Sequence, residues 1–412
     1  MHTDFLIIGA GVIGVTLALE IKKRFPDQTI LVIEKESDAG FHASGRNSGV
    51  LHAGFYYTAD SLKARFCRDG NRAMKNYCKE NKIKINENGK LVITKNESEL
   101  TGLQTLYDRG IKNGVDLTLI SEKEALEIEP RVRTCQKAIF SPETASVDPS
   151  DVMRSLIQTA DNVGIQFLYN TKYIGHKEKQ VITNHQKINA GYVINAAGLY
   201  ADKIAKQYGF GLQYEIIPFK GLYLYSNEKI GALKTHIYPV PDLNYPFLGV
   251  HFTVTAAGKI KIGPTAIPAF WREHYQGVER FSLRETIGIL KREAILFAKN
   301  KFHFREVALH ELKKYSKKFL AGEAAYMLDN FKVADYTTWG KPGIRAQLID
   351  KRDNKLINDF CFEGDQHSFH VLNAVSPAFT ASFPFSSFLV DQIVSFARPY
   401  TSSNRTISSS PK

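Results

Sequence analysis

Three glycines and an acidic residue near the N-terminus have the types and the spacing that bind a dinucleotide. Gly9, Gly11 and Gly14 form a GxGxxG sequence, and Glu34 comes twenty residues after the last glycine. The first glycine permits a tight turn, the second lets the backbone approach a pyrophosphate, and the third allows close packing of helix on strand. The Glu34 carboxylate would accept hydrogen bonds from the hydroxyls of an adenosine ribose, and Lys35 beside it is a further cofactor-binding candidate.

A strand, a helix and a second strand must hold these residues. An apolar run over residues 4–8 precedes the glycines, a helix-like segment follows them, and a second apolar run over residues 29–33 ends at Glu34. A lone GxGxxG sequence is a weak signal. The order of elements favours a βαβ unit with a bound dinucleotide over a glycine-rich turn that binds nothing.

The loop that follows indicates which dinucleotide is bound. Residues 42–57 are rich in glycine and in hydrogen-bonding side chains, which include Ser44, Arg46, Asn47 and Ser48. Such a loop suits FAD, whose isoalloxazine extends far beyond the adenosine, whereas an NAD enzyme typically continues with a plain βα unit. A structural Gly/Ser turn and an NAD-dependent dehydrogenase remain the alternatives.

Three side chains have the chemistry to oxidise a small organic acid with a flavin. His52, directly after the flavin loop, is the first candidate for the base that takes a hydroxyl proton, and His251 is the second. Arg345 could grip a carboxylate through two parallel hydrogen bonds. Each has a structural alternative, which is a hydrogen-bonded histidine or a surface ion pair. Arg46 would face either the flavin or a distal carboxylate.

Several longer motifs resemble one known family. The sequence GRNSGVLHAGFYY over residues 45–57 is similar to the pattern of the L-2-hydroxyglutarate dehydrogenase/oxidase family, which lies within the D-amino-acid-oxidase-like FAD oxidoreductases. Further matches are SLKARFC (61–67), YVINAAGLYAD (192–202), PFLGVHFT (246–253), KPGIRAQ (341–347) and NAVSPAFTAS (373–382). The resemblance runs from about residue 4 to residue 392 and is weakest over about 280–335. Thr265 stands where the family usually has asparagine.

The resemblance implies a fold, a cofactor and a reaction. We expect an α/β protein with an FAD-binding Rossmann-like domain and a second, mixed-sheet α+β substrate domain. Expected activity is oxidation of L-2-hydroxyglutarate, a small dicarboxylate, to 2-oxoglutarate, with electrons passed to quinone or oxygen. A related amine or amino-acid oxidase, and a flavin protein without turnover, are the alternatives. Carried over by motif, further cofactor contacts are Ala197, Gly198, Asn373, Ser376, Pro377 and Ala378, and further substrate contacts are Tyr57 and Thr265.

Strand-like runs of the nucleotide fold recur along the chain, which predicts a discontinuous flavin domain. We expect it to comprise residues 1–85, 146–211 and 321–400, with the substrate domain at 86–145 and 212–320. A hairpin is predicted between residues 251–255 and 259–263, and an amphipathic helix at residues 61–80. The Ser-rich tail 401–412 is predicted to be disordered.

Charge and composition limit the partners. The formal net charge is +12, and residues 272–318 hold twelve Lys/Arg against six Asp/Glu, a net of +6. This basic stretch is interleaved with apolar residues, which predicts peripheral contact with an anionic membrane surface, although a solvated helix face fits equally well. No nucleic-acid motif accompanies the charge, and the four cysteines form no CxxC pair, so neither nucleic acid nor a metal is expected. With no leader sequence, we expect a cytoplasmic protein, with its membrane contact on the inner face of the cell membrane.

Overall fold

A computed structural model of the chain describes residues 1–241, 249–300 and 303–401. Residues 246–248 of the PFLGVHFT motif lie outside the described residues, as do residues 402–412 of the predicted disordered tail. Thr401 ends the last helix.

The strands, numbered in chain order, are β1 (His2–Ile8), β2 (Ile30–Ile33), β3 (Val50–Leu51), β4 (Ile85–Asn86), β5 (Lys90–Ile93), β6 (Thr118–Ser121), β7 (Lys137–Ser141), β8 (Ala145–Val147), β9 (Gln166–Leu168), β10 (Tyr173–Lys177), β11 (Gln180–Thr183), β12 (Lys187–Asn195), β13 (Tyr214–Gly221), β14 (Leu224–Ser226), β15 (His236–Pro239), β16 (His251–Val254), β17 (Ile260–Gly263), β18 (Ile267–Pro268), β19 (Tyr336–Trp339), β20 (Gly343–Asp350), β21 (Lys355–Leu356), β22 (Cys361–Gly364) and β23 (Ser368–Asn373). The α-helices are α1 (Val12–Arg24), α2 (Leu62–Glu80), α3 (Leu100–Lys112), α4 (Glu122–Ile128), α5 (Pro149–Asn162), α6 (Ala201–Gln207), α7 (Leu283–Lys299), α8 (Phe304–Lys313), α9 (Lys317–Ala324) and α10 (Ala378–Thr401).

One sheet collects the predicted nucleotide-binding strands. Its order is β10-β11-β12-β1-β2-β9, with β23 beside β12 and β22 beside β23. The pairs β12–β1, β1–β2, β2–β9 and β12–β23 are parallel. The residues of β2 are all buried because apolar clusters cover both faces of the sheet, as is usual for parallel strands. The Rossmann-like fold class is confirmed.

Helices α1, α2 and α10 cover one face of this sheet. Helix α1 forms the crossover between β1 and β2, as the glycine motif requires. Helix α2 begins at Ser61, whose hydroxyl caps the helix, and it buries Phe66 and Met74 as the predicted amphipathic pattern demands. It crosses α10 at Gly70, where a Cβ would lie 2.3 Å from the Thr380 carbonyl oxygen.

A second sheet has the order β19-β14-β17-β16-β15-β5-β7-β6. The predicted hairpin is present as the antiparallel pair β16–β17. Strand β13 pairs along its whole length with β20, which carries Arg345. Lys220 and Gly221 end β13, and Leu224 begins β14.

One predicted domain boundary requires correction. The boundary at residue 321 assigned β19 and β20 to the flavin domain. In the structure β19 pairs with β14 and β20 pairs with β13, so both belong by hydrogen bonding to strands of the substrate domain. Only β22, β23 and α10 return to the nucleotide-binding sheet and its covering layer. With that change, we propose the remaining boundaries as predicted.

Candidate active site

A cavity of about 830 Å³ runs along the carboxyl ends of β1, β2, β12 and β23. Ligands of open α/β sheets bind at this edge, because the loops that follow parallel strands meet there. Its wall includes Gly9, Gly11 and Glu34, and also His52 and Arg345. The cavity therefore joins the predicted dinucleotide site to the residues predicted to react.

The phosphate end has no room for side chains on its glycines. A Cβ on Gly14 would lie 1.9 Å from the carbonyl oxygen of Gly9, so α1 could not approach β1 so closely. Gly9 has a φ of +107°, and a Cβ there would lie 2.7 Å from the carbonyl oxygen of Ala196. The hydroxyl of Ser44 accepts a hydrogen bond from the Val12 amide at the helix N-terminus, at 2.9 Å. The helix N-terminus faces the cavity, as a bound diphosphate requires.

Glu34 is held rigidly at the ribose position. One carboxylate oxygen accepts from the Ala10 amide at 2.9 Å, and the other accepts from the Glu36 amide at 3.0 Å. Each oxygen has a further lone pair, so the carboxylate can also accept from ribose hydroxyls.

Lys35 lies in a cluster of charges at the same end of the cavity. Its ammonium pairs with Glu36 and with Glu273, the latter at 2.7 Å, and Arg280 pairs with the same two carboxylates. Burial would raise the pKa of Glu36, but hydrogen bonds from His42, Arg280 and Lys35 outweigh it and hold the pKa well below its usual range. The ligand atoms of Glu36, His42 and Glu273 lie within 4.8 Å of one another, but Lys35 and Arg280 already engage both carboxylates. The cluster is best described as an ion-pair network that joins two chain segments over the adenosine end.

Arg46, Asn47 and Ser48 shape the flavin loop. The Arg46 guanidinium donates to the carbonyls of Phe41 and Pro342, at 2.8 and 3.2 Å, and lies over the rings of Phe41 and Tyr275. Asn47 donates to the Ser44 carbonyl and accepts from Gly49, and the Ser48 hydroxyl accepts from Val50. All three residues line the cavity. The role of Arg46 therefore stays a prediction, toward either the flavin or a distal carboxylate.

His52 also lines the cavity. Its amide donates to the Thr380 hydroxyl at 3.2 Å, and its carbonyl accepts from the Cys67 thiol. Within the described ranges the imidazole makes no hydrogen bond. Burial, and then the positive charges of Lys90, His251, His236 and Arg345, lower the pKa of His52 well below its usual value. A neutral imidazole that faces a cavity can accept a proton.

The remaining predicted residues divide into two groups. The cavity wall contains Ala197, Gly198, Ser376, Pro377 and Ala378, and the last three lie where α10 begins. Gly14, Tyr57, His251, Thr265 and Asn373 are not in the wall.

Two of the predicted contacts are corrected by their hydrogen bonds. Thr265 is buried, donates to the Lys220 carbonyl and accepts from the Leu222 amide, so its hydroxyl proton is already used by the backbone. Asn373 is the last residue of β23, and its side-chain amide donates to the carbonyls of Ile357 and Asp359. Both side chains hold backbone segments together.

Sequence reasoning missed several polar residues of the second sheet. Lys261 donates to the Ser48 carbonyl at 3.0 Å, and Lys90 and His236 are buried nearby. Their signal was available, since polar residues alternate with apolar ones along β15, β16 and β17. We had interpreted these strands only as elements of a sheet.

Comparison with known proteins identifies the class. The family model described as FAD dependent oxidoreductase matches residues 4–389, so the chain belongs to the FAD-dependent oxidoreductases. Two solved structures share its fold. L-alpha-glycerophosphate oxidase from Mycoplasma pneumoniae with FAD bound has a TM-score of 0.76 and 22% identity, over 97% of this chain and 95% of that chain. Glycine oxidase from Geobacillus kaustophilus has a TM-score of 0.71 and 19% identity, over 96% and 95%.

Relatives of similar sequence show which family of FAD-dependent oxidoreductases the chain belongs to. L-2-hydroxyglutarate dehydrogenase from Escherichia coli (strain K12) is 34% identical, with 98% of this chain and 96% of the relative covered. The mitochondrial L-2-hydroxyglutarate dehydrogenase of Homo sapiens is 34% identical, with 95% and 88% covered. Within its class, the chain is therefore a member of the L-2-hydroxyglutarate dehydrogenase family, which confirms the resemblance of its motifs. FAD is its cofactor, and the closely packed glycines, the helix N-terminus and Glu34 fit its diphosphate and ribose.

Proposed function

We propose that the protein oxidises L-2-hydroxyglutarate to 2-oxoglutarate. The observation that carries this proposal is that a single cavity is lined both by the dinucleotide cradle and by His52 and Arg345. The relatives that match nearly the whole chain are named for this substrate.

The reaction removes two hydrogens from the C2 alcohol, and each residue of the site has a separate role in it. FAD, when bound, supplies the acceptor for the hydride that leaves C2, at flavin N5. The imidazole of His52 takes the hydroxyl proton onto a ring nitrogen, and its lowered pKa keeps that nitrogen free at neutral pH. The Arg345 guanidinium holds the C1 carboxylate, which orients the C2–H bond.

Two further segments complete this arrangement. We assign the backbone of Ser376–Ala378, at the start of α10, to the isoalloxazine. Tyr57 and His251 remain proposed substrate contacts next to the cavity. Burial raises the pKa of Tyr57 well above its usual value, so its hydroxyl keeps its proton and can act as a donor.

Product formation tests the proposal. The purified flavoprotein would be incubated with L-2-hydroxyglutarate and an artificial electron acceptor, and 2-oxoglutarate would be measured by a coupled assay. We expect acceptor reduction and stoichiometric 2-oxoglutarate with the L-isomer, and no acceptor reduction with D-2-hydroxyglutarate, glycine or sarcosine. Turnover of glycine or sarcosine alone would favour an amine oxidase, and no turnover with any donor would favour a flavin protein without catalysis.

The electron acceptor is proposed separately. Helix α7 exposes Leu283 and Ile287, at 64% and 61% of their surface, beside the exposed cations Arg284 and Lys291. No helix in the described ranges is both long and apolar enough to cross a bilayer. We propose that α7 lies on an anionic membrane surface and that quinone there takes the electrons.

Vesicle binding tests this surface. The protein should sediment with phosphatidylglycerol vesicles at low salt but not with phosphatidylcholine vesicles, and Ile287→Glu should reduce the bound fraction. A protein that stays in the supernatant in both cases would remove the membrane proposal. Hydrogen peroxide released in step with 2-oxoglutarate would identify oxygen as the acceptor instead of quinone.

A further inference from the structure

Part of one face of the second sheet is polar although it is buried. In the register of the strands, Lys90 aligns with His236 across β5 and β15, and Ile237 aligns with Phe252 across β15 and β16. Side chains alternate between faces, so one face carries Lys90, His236, Tyr238, His251 and Thr253. The opposite face carries Leu91, Ile237, Phe252 and Ile262, which pack in an apolar core. Burying polar groups lowers the stability of the folded protein unless each group has a hydrogen-bonding or charged partner.

Lys90 is the strongest unpaired group on that face. Its side chain is 0% exposed, and its ammonium nitrogen has neither a hydrogen bond nor an ion pair among the described residues. The nitrogen lies 4.2 Å from the ring centroid of Tyr238 and 5.0 Å from that of Tyr56. Aromatic faces attract a cation, but they do not satisfy its three N–H donors.

The neighbours of Lys90 also offer donors without acceptors. Nδ1 of His236 accepts a hydrogen bond from the Val254 amide, so the ring proton is on Nε2, which has no partner in the described part of the chain. The hydroxyls of Tyr56, Tyr238 and Thr253 are likewise buried without partners there. One cation and several buried donors around one point are complementary to an anion with two acceptor oxygens, which is a carboxylate.

This group of donors lies beside the chain segment that carries His52, because the Lys90 nitrogen is 5.3 Å from the ring centroid of Phe55, three residues after His52. Lys90 and Arg345 both repel a positive charge on His52, and the effect of Lys90 is the larger. Arg345 is assigned to the C1 carboxylate, so a second carboxylate on the same substrate needs a second cation near His52.

We propose that Lys90, with Nε2 of His236 beside it, binds the distal (C5) carboxylate of the substrate and makes the enzyme specific for dicarboxylates. The inference rests on the proposed function for the identity of the substrate, but the subsite itself requires only a five-carbon dicarboxylate. Lys90 is thereby a specificity-determining residue and not a catalytic one.

The test compares substrates that differ only in the distal group. L-2-Hydroxyvalerate has a methyl group where L-2-hydroxyglutarate has its C5 carboxylate. In Lys90→Met, kcat/KM for L-2-hydroxyglutarate should fall by about 10²-fold, since a charge-assisted buried contact is lost. The value for L-2-hydroxyvalerate should change by no more than about twofold, because that substrate never used the cation. Lys137→Met is the matched control, since Lys137 is exposed on β7 of the same sheet. Equal losses on both substrates, or none on either, would overturn the proposal.

Binding of unreactive acids separates this inference from the proposed function. Glutarate and valerate can be titrated against the oxidised holoenzyme by the change in its visible spectrum. Wild type should bind glutarate at least tenfold more tightly than valerate, and Lys90→Met should remove that preference. Loss of the preference in a protein that never oxidises L-2-hydroxyglutarate would refute the proposed reaction and leave the subsite standing. If the enzyme oxidises L-2-hydroxyglutarate but Lys90→Met still prefers glutarate, the proposed reaction stands and the Lys90 subsite is refuted. Flavin content and the thermal midpoint would verify folding, and Lys90→Gln provides a second variant.

Discussion

A buried ion pair holds the cavity wall near Ala197 and Gly198, and its removal should be among the most damaging single changes in the protein. The guanidinium of Arg272 donates to both carboxylate oxygens of Asp202, on α6, at 2.7 and 2.8 Å. It also donates to the carbonyl of Leu199, in the turn that lines the cavity. Only 4% of Arg272 and 1% of Asp202 is exposed. Arg272→Met would leave the buried carboxylate with Lys206, 3.9 Å away, as its remaining cation.

The expected magnitude follows from that burial. Breaking a buried pair from one side typically costs about 3–5 kcal/mol of the free energy of unfolding, because a charge is left uncompensated. We expect a loss in this range at neutral pH, measured by urea denaturation with far-ultraviolet circular dichroism. Release of FAD should occur at lower urea in the variant, because Arg272 holds the Leu199 turn.

Two further measurements refine the prediction. Burial would raise the pKa of Asp202, but Arg272 outweighs it and holds the pKa below its usual value, so the pair contributes stability at neutral pH and loses it as pH falls through the folded pKa. In Arg272→Met that pKa should be raised, and the penalty should shrink as acid protonates the carboxyl. Adding Asp202→Asn to Arg272→Met should recover part of the loss, since the amide oxygen can still accept from the Ile216 amide.

The matched control is Arg352→Met. Arg352 also binds an aspartate, Asp350, through several hydrogen bonds, but 71% of its side chain is exposed. Solvent screens such a pair, so we expect little or no measurable loss. If Arg272→Met loses no more stability than Arg352→Met, the argument from burial is refuted.

Four further predictions follow from the site. His52→Gln should lower kcat by about 10²–10⁴-fold, the usual contribution of a positioned base, with FAD content unchanged in the visible spectrum; an unchanged kcat would exclude His52 as the base. Arg345→Lys keeps the positive charge but loses the two parallel hydrogen bonds of the guanidinium, so kcat/KM should fall by about 10- to 100-fold. A variant as active as wild type would refute the assignment of Arg345 to the substrate carboxylate. Burial lowers the pKa of Lys90 to about 7, and the substrate carboxylate binds only the protonated ammonium of Lys90. In wild type, kcat/KM should therefore decline as pH rises through about 7, whereas in Lys90→Met it should not. Parallel pH profiles in the two proteins would contradict this prediction. Gly14→Val would place its Cβ 1.9 Å from the Gly9 carbonyl, so the purified variant should carry little FAD, and a full complement would contradict the close packing of α1 on β1.

The dinucleotide half of the site was predictable because its signal is local. Gly9, Gly11, Gly14 and Glu34 all lie within a single βαβ unit, whose turn, helix and strand each follow from adjacent residues. The flavin loop is also continuous in sequence. Strand pairing was then needed only to bring the loops together at one edge of the sheet.

The substrate half was only partly predictable because strand pairing builds it. Lys90 and His236 are 146 positions apart and become neighbours only through the parallel pair β5–β15. Nothing local distinguishes a lysine that is fully buried from one that faces solvent. The same limit explains Thr265, which motif comparison marked for substrate and whose hydroxyl is instead used by the backbone of Lys220 and Leu222.

The wrong domain boundary had a similar cause. The strands β19 and β20 follow α9 in the chain, and sequence order alone placed them with the returning flavin domain. Their partners, β14 and β13, lie more than one hundred residues earlier. Pairing over such a distance leaves no periodic signature in either segment.

The central claim is that bound FAD is reduced by L-2-hydroxyglutarate at the His52 and Arg345 end of the cavity. Anaerobic titration of the holoenzyme, followed at the flavin absorbance near ~450 nm, tests it most directly. We predict complete bleaching by one equivalent of L-2-hydroxyglutarate, none by D-2-hydroxyglutarate, and strongly slowed bleaching in His52→Gln. A flavin that stays oxidised with the L-isomer, or that bleaches equally with both isomers, would contradict the account.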